Sequence, residues 1–217
     1  MRVDEILSAL REQANPANVA GMARYGIATE TALGVPVPFI RALAKTAGRD
    51  HALALELWSS GIHEARILAT IVADKSQLTK ALMNRWARDF NSWDICDQAC
   101  ANLFRSSPLA WEMAETWSTA KPEFVRRAAF SLMAGLAVKA KKEPDARFEA
   151  FLPMIAAAST DERNMVKKAV NWALRSIGKK NPHLRTRAIA TAEQIAAFDS
   201  SSARWIASDA LRELSRR

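Results

Sequence analysis

An all-α fold of stacked helical hairpins is predicted by three features of this sequence. Glycine and proline are scarce, at 7 and 8 in 217 residues, β-branched runs are few, and Ala, Leu, Arg and Glu dominate, so local preference favours helix almost throughout. Amphipathic segments of roughly 10 to 20 residues follow one another, ended by short Pro, Gly, Ser or Asp signals such as Asn15-Pro16, Gly34 to Pro38, Asp74 to Ser76, Ser106 to Pro108, Asn181-Pro182 and Asp199 to Ser202. Paired, these dozen or so helices recur with a loose period of about 40 residues, as helical repeats do, with a globular bundle as the alternative. No stretch is long enough for an interdomain linker, so residues 1–217 read as a single domain, with Lys139 to Asp145 a charged surface loop.

Composition narrows the function classes. Lys+Arg outnumber Asp+Glu by 31 to 23, giving a formal charge of +8 and a pI near 9.9, which points to a polyanionic partner. Nucleic acid fits better than membrane: no apolar run approaches the ~20 residues needed to span a bilayer, and Met1-Arg2-Val3-Asp4-Glu5 opens no signal-peptide core. The expectation is a soluble, cytoplasmic monomer. Positive charge accumulates toward the C-terminal end at Lys180, His183, Arg185, Arg187, Arg204, Arg212, Arg216 and Arg217, polarised along the chain as an elongated binding surface requires. Cys96 and Cys100, four apart on one helix, suit neither a disulfide nor a zinc site, and His63 has no second histidine four residues on. No metal and no cofactor are expected.

Taken in order, the N-terminal helices carry Tyr25, the single tyrosine, either a ligand contact or a partly buried helix-end residue. Pro36 and Pro38 predict an extended entry into a helix beginning near Phe39, with Arg41 and Lys45 facing solvent. Ser92 is a good N-cap for a helix running to about Arg105, whose apolar stripe is Ile95, Ala99 and Leu103. Trp93, Asp97, Cys100 and Phe104 line an adjoining stripe, which sets the Asp97 carboxylate among apolar and aromatic neighbours near the positive end of the helix dipole. From Pro122 to about Lys139, the stripe Phe124, Val125, Ala128, Ala129, Leu132 and Leu136 leaves Arg127 nearly opposite and Arg126 to one side, free for phosphates or merely solvated. Asp161 is read as the cap of a helix to Lys180 with core positions Val166, Ala169, Val170, Ala173 and Ile177. Trp172 falls instead with Lys168, Arg175 and Lys179, an aromatic ring in a basic stripe that suits either nucleic acid or packing under lysine stems.

These stretches together resemble the AlkD-type DNA alkylation-repair family, helical HEAT-like-repeat proteins that include DNA glycosylases. The resemblance runs from Leu33-Gly34-Val35-Pro36 through Trp93-Asp94-Ile95-Cys96-Asp97 and Arg126-Arg127-Ala128-Ala129 to the segment Val166 to Arg175. It implies a curved, HEAT-like helical-repeat solenoid with a basic concave face, nucleoid-associated when bound to DNA, in which Trp93, Asp97, Arg127 and Trp172 line a DNA-binding cleft as the catalytic set. Tyr25, Arg126, Lys168, Arg175, Lys179 and Lys180 are then the expected DNA contacts. The segment Gly135 to Phe151 is longer than the family's pattern.

The implied activity is excision of cationic alkylated purines, 3-methyladenine and 7-methylguanine, from duplex DNA. Such a base is already a good leaving group, so one carboxylate that stabilises the oxocarbenium-like transition state can suffice. The family implies recognition through the backbone without base flipping. Rival readings are a non-catalytic binder of DNA or structured RNA and a protein-interaction scaffold. Because Arg127 and Trp172 both lie off their apolar stripes, truncating either is expected to leave stability nearly unchanged.

Overall fold

The computed structural model describes residues 1–216; Arg217, counted above in the basic C-terminal end, lies outside them. Among the described residues there is no strand, and the helices fall into two compact units, Met1–Ser107 and Pro108–Arg217, divided at the Ser106 to Pro108 break.

Unit 1 holds α1 (Val3–Glu12), α2 (Pro16–Arg24), α3 (Val37–Ala47), α4 (His51–Ser59), α5 (His63–Val72), α6 (Lys80–Arg88) and α7 (Trp93–Asn102). Side-chain caps start several of them: Asn15 accepts the Ala17 and Asn18 amides, Asp50 that of Leu53 and Thr79 that of Leu82. Helix α3 begins at Val37, two residues earlier than the prolines suggest, because Pro38 sits in the first turn, where a missing N–H costs no hydrogen bond. Helix α7 ends at Asn102 rather than near Arg105; Leu103 leaves helical geometry and a 3₁₀ turn spans Phe104–Ser106. At the centre, α5 packs on α3, α4 and α7. Trp58 of α4 stacks on Trp86 of α6 with parallel rings 4.1 Å apart.

Polar rungs tie the layers of unit 1 at a fixed register. The buried Glu64 carboxylate accepts the amides of Leu33, Gly34 and Val35, Trp58 Nε1 donates to Asp89 at 2.8 Å, and His63 Nε2 donates to Asp94 at 2.7 Å. Asn102 donates to Thr70 Oγ1 at 2.9 Å, and most of these pairs are 31 or 32 positions apart.

Unit 2 holds α8 (Ala110–Trp117), α9 (Glu123–Lys139), α10 (Asp145–Glu149), α11 (Leu152–Ala158), α12 (Asn164–Gly178), α13 (Pro182–Ala196) and α14 (Ser201–Leu214). Helix α12 packs on α9, α13 and α14 with Val166, Ala169, Val170, Ala173 and Ile177 fully buried, the stripe its periodicity predicts. Its last turn passes so close to α13 and α14 that a Cβ on Gly178 would meet Leu214 at 2.8 Å and Ala188 at 3.0 Å. Here the rungs are 38 apart: Arg127 to the Met165 carbonyl, Asn171 to Asp209, Arg175 to Glu213 and Arg187 to Glu149. The predicted period of about 40 is close to that of unit 2 and too long for unit 1.

Asp161 is not the N-cap of α12. That position belongs to Arg163, while Asp161, ahead of the helix, binds the Arg163 amide and guanidinium.

Candidate nucleic-acid interface

In unit 1, Ser92 occupies the N-cap of α7 as predicted, but its hydroxyl donates to Asp94 Oδ1 at 2.8 Å rather than accepting a helix amide. Asp94 Oδ2 accepts from His63, so the first turn of α7 is pinned to α5. Burial pushes the Asp94 carboxyl up, but the His63 hydrogen bond and charge, the Ser92 hydroxyl and the Ile95 amide outweigh it and hold the group below its ordinary value. On this anchored turn stand Trp93 and, one turn on, Asp97, both half-buried. Ile95, Ala99 and Leu103 face the core together with the buried Cys96 and Cys100. Trp93 Nε1 donates to the Tyr25 carbonyl at 3.0 Å, which brings the end of α2 to the start of α7. The Tyr25 side chain is 74% exposed, so the partly buried alternative does not hold for it.

In unit 2, the expected free face of Arg127 does not exist. Its exposure is 6% and its guanidinium donates to the Met165 carbonyl at 2.6 Å. The reason lies in α9, which is covered on nearly all sides: Phe130, Ser131, Met133, Ala134 and Ala137 are buried beside the predicted stripe. Arg126 is likewise engaged, donating to the Ser118 carbonyl at 2.9 Å and to Asp161 at 3.0 Å.

Trp172 stands off the core of α12 at 36% exposure, with Lys168 exposed one turn before it. The rest of the basic stripe meets acids from α14. Arg175 pairs with Glu213 at 2.5 Å and Asp209 at 3.3 Å, and Lys179 pairs with Glu213. These cations, the hydrogen bond from Lys179 first among them, hold the Glu213 carboxyl below its usual value. Lys180 donates to the Ala140 carbonyl at 3.0 Å and lies over the Phe148 ring. A sequence stripe reads one helix at a time, so it does not register the carboxylates that the neighbouring helix supplies at the same level.

Sequence reasoning missed the His63–Asp94 pair and the Glu64 staple, whose one available signal was a 31-residue spacing between polar residues. Among the described residues no cluster of His, Cys, Asp and Glu is arranged to hold a metal, and no helix is long and apolar enough to cross a membrane.

A family model described as "DNA alkylation repair enzyme" matches residues 6–214. No curated protein matches the chain. Among solved structures, one described as a new family of proteins related to the HEAT-like repeat DNA glycosylases, with affinity for branched DNA structures, is similar at TM-score 0.83 and 18% identity. The match covers 100% of this chain and 95% of that one. A designed armadillo repeat protein in complex with the peptide (KR)4 is similar at TM-score 0.50 and 15% identity, covering 97% of this chain and 93% of that one. Both likenesses place the fold among HEAT-like and armadillo helical repeats. Since the family match spans the sequence from α1 to the end of α14, the chain belongs to the DNA alkylation repair enzyme family.

Proposed function

We propose that this protein is a DNA glycosylase that excises cationic alkylated purines such as 3-methyladenine and 7-methylguanine from duplex DNA. The observation that carries the reading is the anchored first turn of α7, which holds a half-buried carboxylate, Asp97, one turn from a half-buried indole, Trp93. As the glycosidic bond lengthens, its electron pair leaves with the base and neutralises it, and positive charge develops on C1′ and the ring oxygen of the sugar. A carboxylate about 4 Å away at an effective dielectric near 20 stabilises that charge by roughly 4 kcal/mol, on the order of a thousandfold in rate. Water then bonds to C1′ and releases its proton to Asp97 or solvent. The Trp93 face favours the same cationic sugar. In unit 2 the exposed Trp172 ring and Lys168 ammonium suit nucleic acid, the ring for stacking and the cation for a backbone phosphate.

The Asp97→Asn protein tests this reading. Single-turnover excision from one methylated duplex should fall roughly a hundred- to a thousandfold, while duplex affinity stays level or rises and decreases steeply with salt. Undiminished excision by the mutant removes the mechanism. A second reading, binding of DNA without excision, is favoured by the structural neighbour described by its affinity for branched DNA. Native protein that binds forked or junction DNA tightly and releases no base would establish it.

A further inference from the structure

Behind α2 lies a cavity of about 400 Å³ that the reading above does not use; small-ligand sites span roughly 300–1,000 Å³. Its walls come from unit 1: α2, the segment 27–37, α5 and Asp94. Helix α2 covers it without packing tightly, for none of its residues is buried. Polar links hold that helix in place: Asn15 N to the Leu33 carbonyl at 2.7 Å, Asn18 Nδ2 to the Gly34 carbonyl at 2.9 Å, and Trp93 Nε1 to the Tyr25 carbonyl.

Gly21 sits in the middle of α2 on the cavity wall. It is not among the glycines with positive φ, and a Cβ placed on it would meet nothing within 4 Å. The protein's own packing therefore gives no reason for a poor helix former there, and the missing side chain keeps the cavity open. His63, 1% exposed, also borders the cavity. Its Nε2 is committed to Asp94, and its Nδ1 is buried with no hydrogen-bond partner. In a chain of net charge +8 the lining contains no lysine or arginine, and it contains the carboxylates of Asp94 and Glu64, the latter occupied by three backbone amides. Such a wall repels phosphate. It suits a neutral or cationic molecule with N–H donors on its edge and flat faces to lie against Met22, Ile27, Val35 and Ile67.

We propose that this cavity binds a nucleobase-sized planar heterocycle with N–H donors on its edge, namely an aminopurine, whose donors meet the Asp94 carboxylate beside His63. The choice of a purine rests on the nucleic-acid reading; the cavity chemistry does not depend on excision. A free base and a base extruded from DNA present the same edge.

Calorimetric titration of the full-length protein with adenine and with 3-methyladenine tests the site. Binding should be measurable for the native protein and weaken at least tenfold in Gly21→Leu, which fills the space, while the thermal midpoint of that variant stays level or rises. Asp94→Asn should weaken binding similarly, with circular dichroism confirming its fold. A duplex carrying 2-aminopurine separates the sources: a fluorescence rise on binding that Gly21→Leu abolishes assigns the extruded base, and titratable free base without that rise assigns the free one. No binding of either base together with no fluorescence rise overturns the proposal, as does binding that Gly21→Leu leaves intact. Excision measured on the same preparation reports separately on the glycosylase reading, so either can fail alone.

Discussion

The two units use opposite chemistry for the same architectural task. In unit 1 the rungs between helices are carboxylate and hydroxyl acceptors, Glu64 and Thr70 among them buried, met by main-chain amides, an imidazole, an indole and a carboxamide. In unit 2 they are mainly guanidinium and ammonium groups met by carboxylates in half-exposed positions, as in Arg175 and Lys179 with Glu213 or Arg187 with Glu149. The positive charge concentrated in the second half of the sequence is therefore not all available to a polyanion. Part of it is spent holding α12 to α14 and α10 to α13. Formal charge counts overstate a nucleic-acid surface wherever cations and acids share a rung.

Arg127 tests this contrast most directly, as a buried unit 2 cation that donates to a main-chain carbonyl. Arg127→Ala should destabilise the protein by about 2–4 kcal/mol in denaturant unfolding, since it removes a buried charge-assisted hydrogen bond to the Met165 carbonyl and empties space beside α9. A change within about 0.5 kcal/mol would return Arg127 to the surface. Next in size is Glu64→Gln, expected to cost about 1–3 kcal/mol because an amide cannot satisfy three backbone donors as a carboxylate does. Faster hydrogen exchange at Leu33, Gly34 and Val35 should accompany it, and unchanged exchange would show that the staple is dispensable. Trp172→Ala should shift stability by only about 0.5 kcal/mol while weakening duplex binding; a loss of about 3 kcal/mol or more would identify it as core.

The smallest effect is one of pH at the start of α14. Glu162 accepts the Ser200 and Ser201 hydroxyls and the Ser202 amide, which lower its pKa from 4.5 to about 2. Because the folded value lies below the unfolded one, its contribution is complete above about pH 4.5 and fades as the pH falls toward 2. Glu162→Gln should flatten that part of the acid-unfolding profile, and an unchanged profile would show that the three bonds do not favour the charged form.

Much of the fold was legible because it depends on local periodicity. Ile95 and Ala99 on α7 and the five core positions of α12 are buried where a 3.6-residue repeat places them, and Asn181 and Ser200 cap the helices their sequence marks. Arg127 is illegible to a single apolar stripe, because Phe130, Ser131, Met133 and Ala134 fill the other faces of α9 as well. His63, Glu64 and Asp94 could not be joined in advance, since a 31-residue register appears only once the helices are stacked. The candidate site was legible as residues on helices, with Trp93 and Asp97 one turn apart, and not as a set of partners.

The stack of Trp58 on Trp86 also gives unit 1 an optical reporter of its own. Two parallel indoles 4.1 Å apart couple their electronic transitions, and that coupling vanishes once α4 and α6 separate. In unit 2 Trp111 stacks on Phe151, which lacks a second indole to couple with. Near-ultraviolet dichroism from the pair would therefore follow the loosening of unit 1 by itself, a change that backbone dichroism, averaged over every helix in the chain, would conceal.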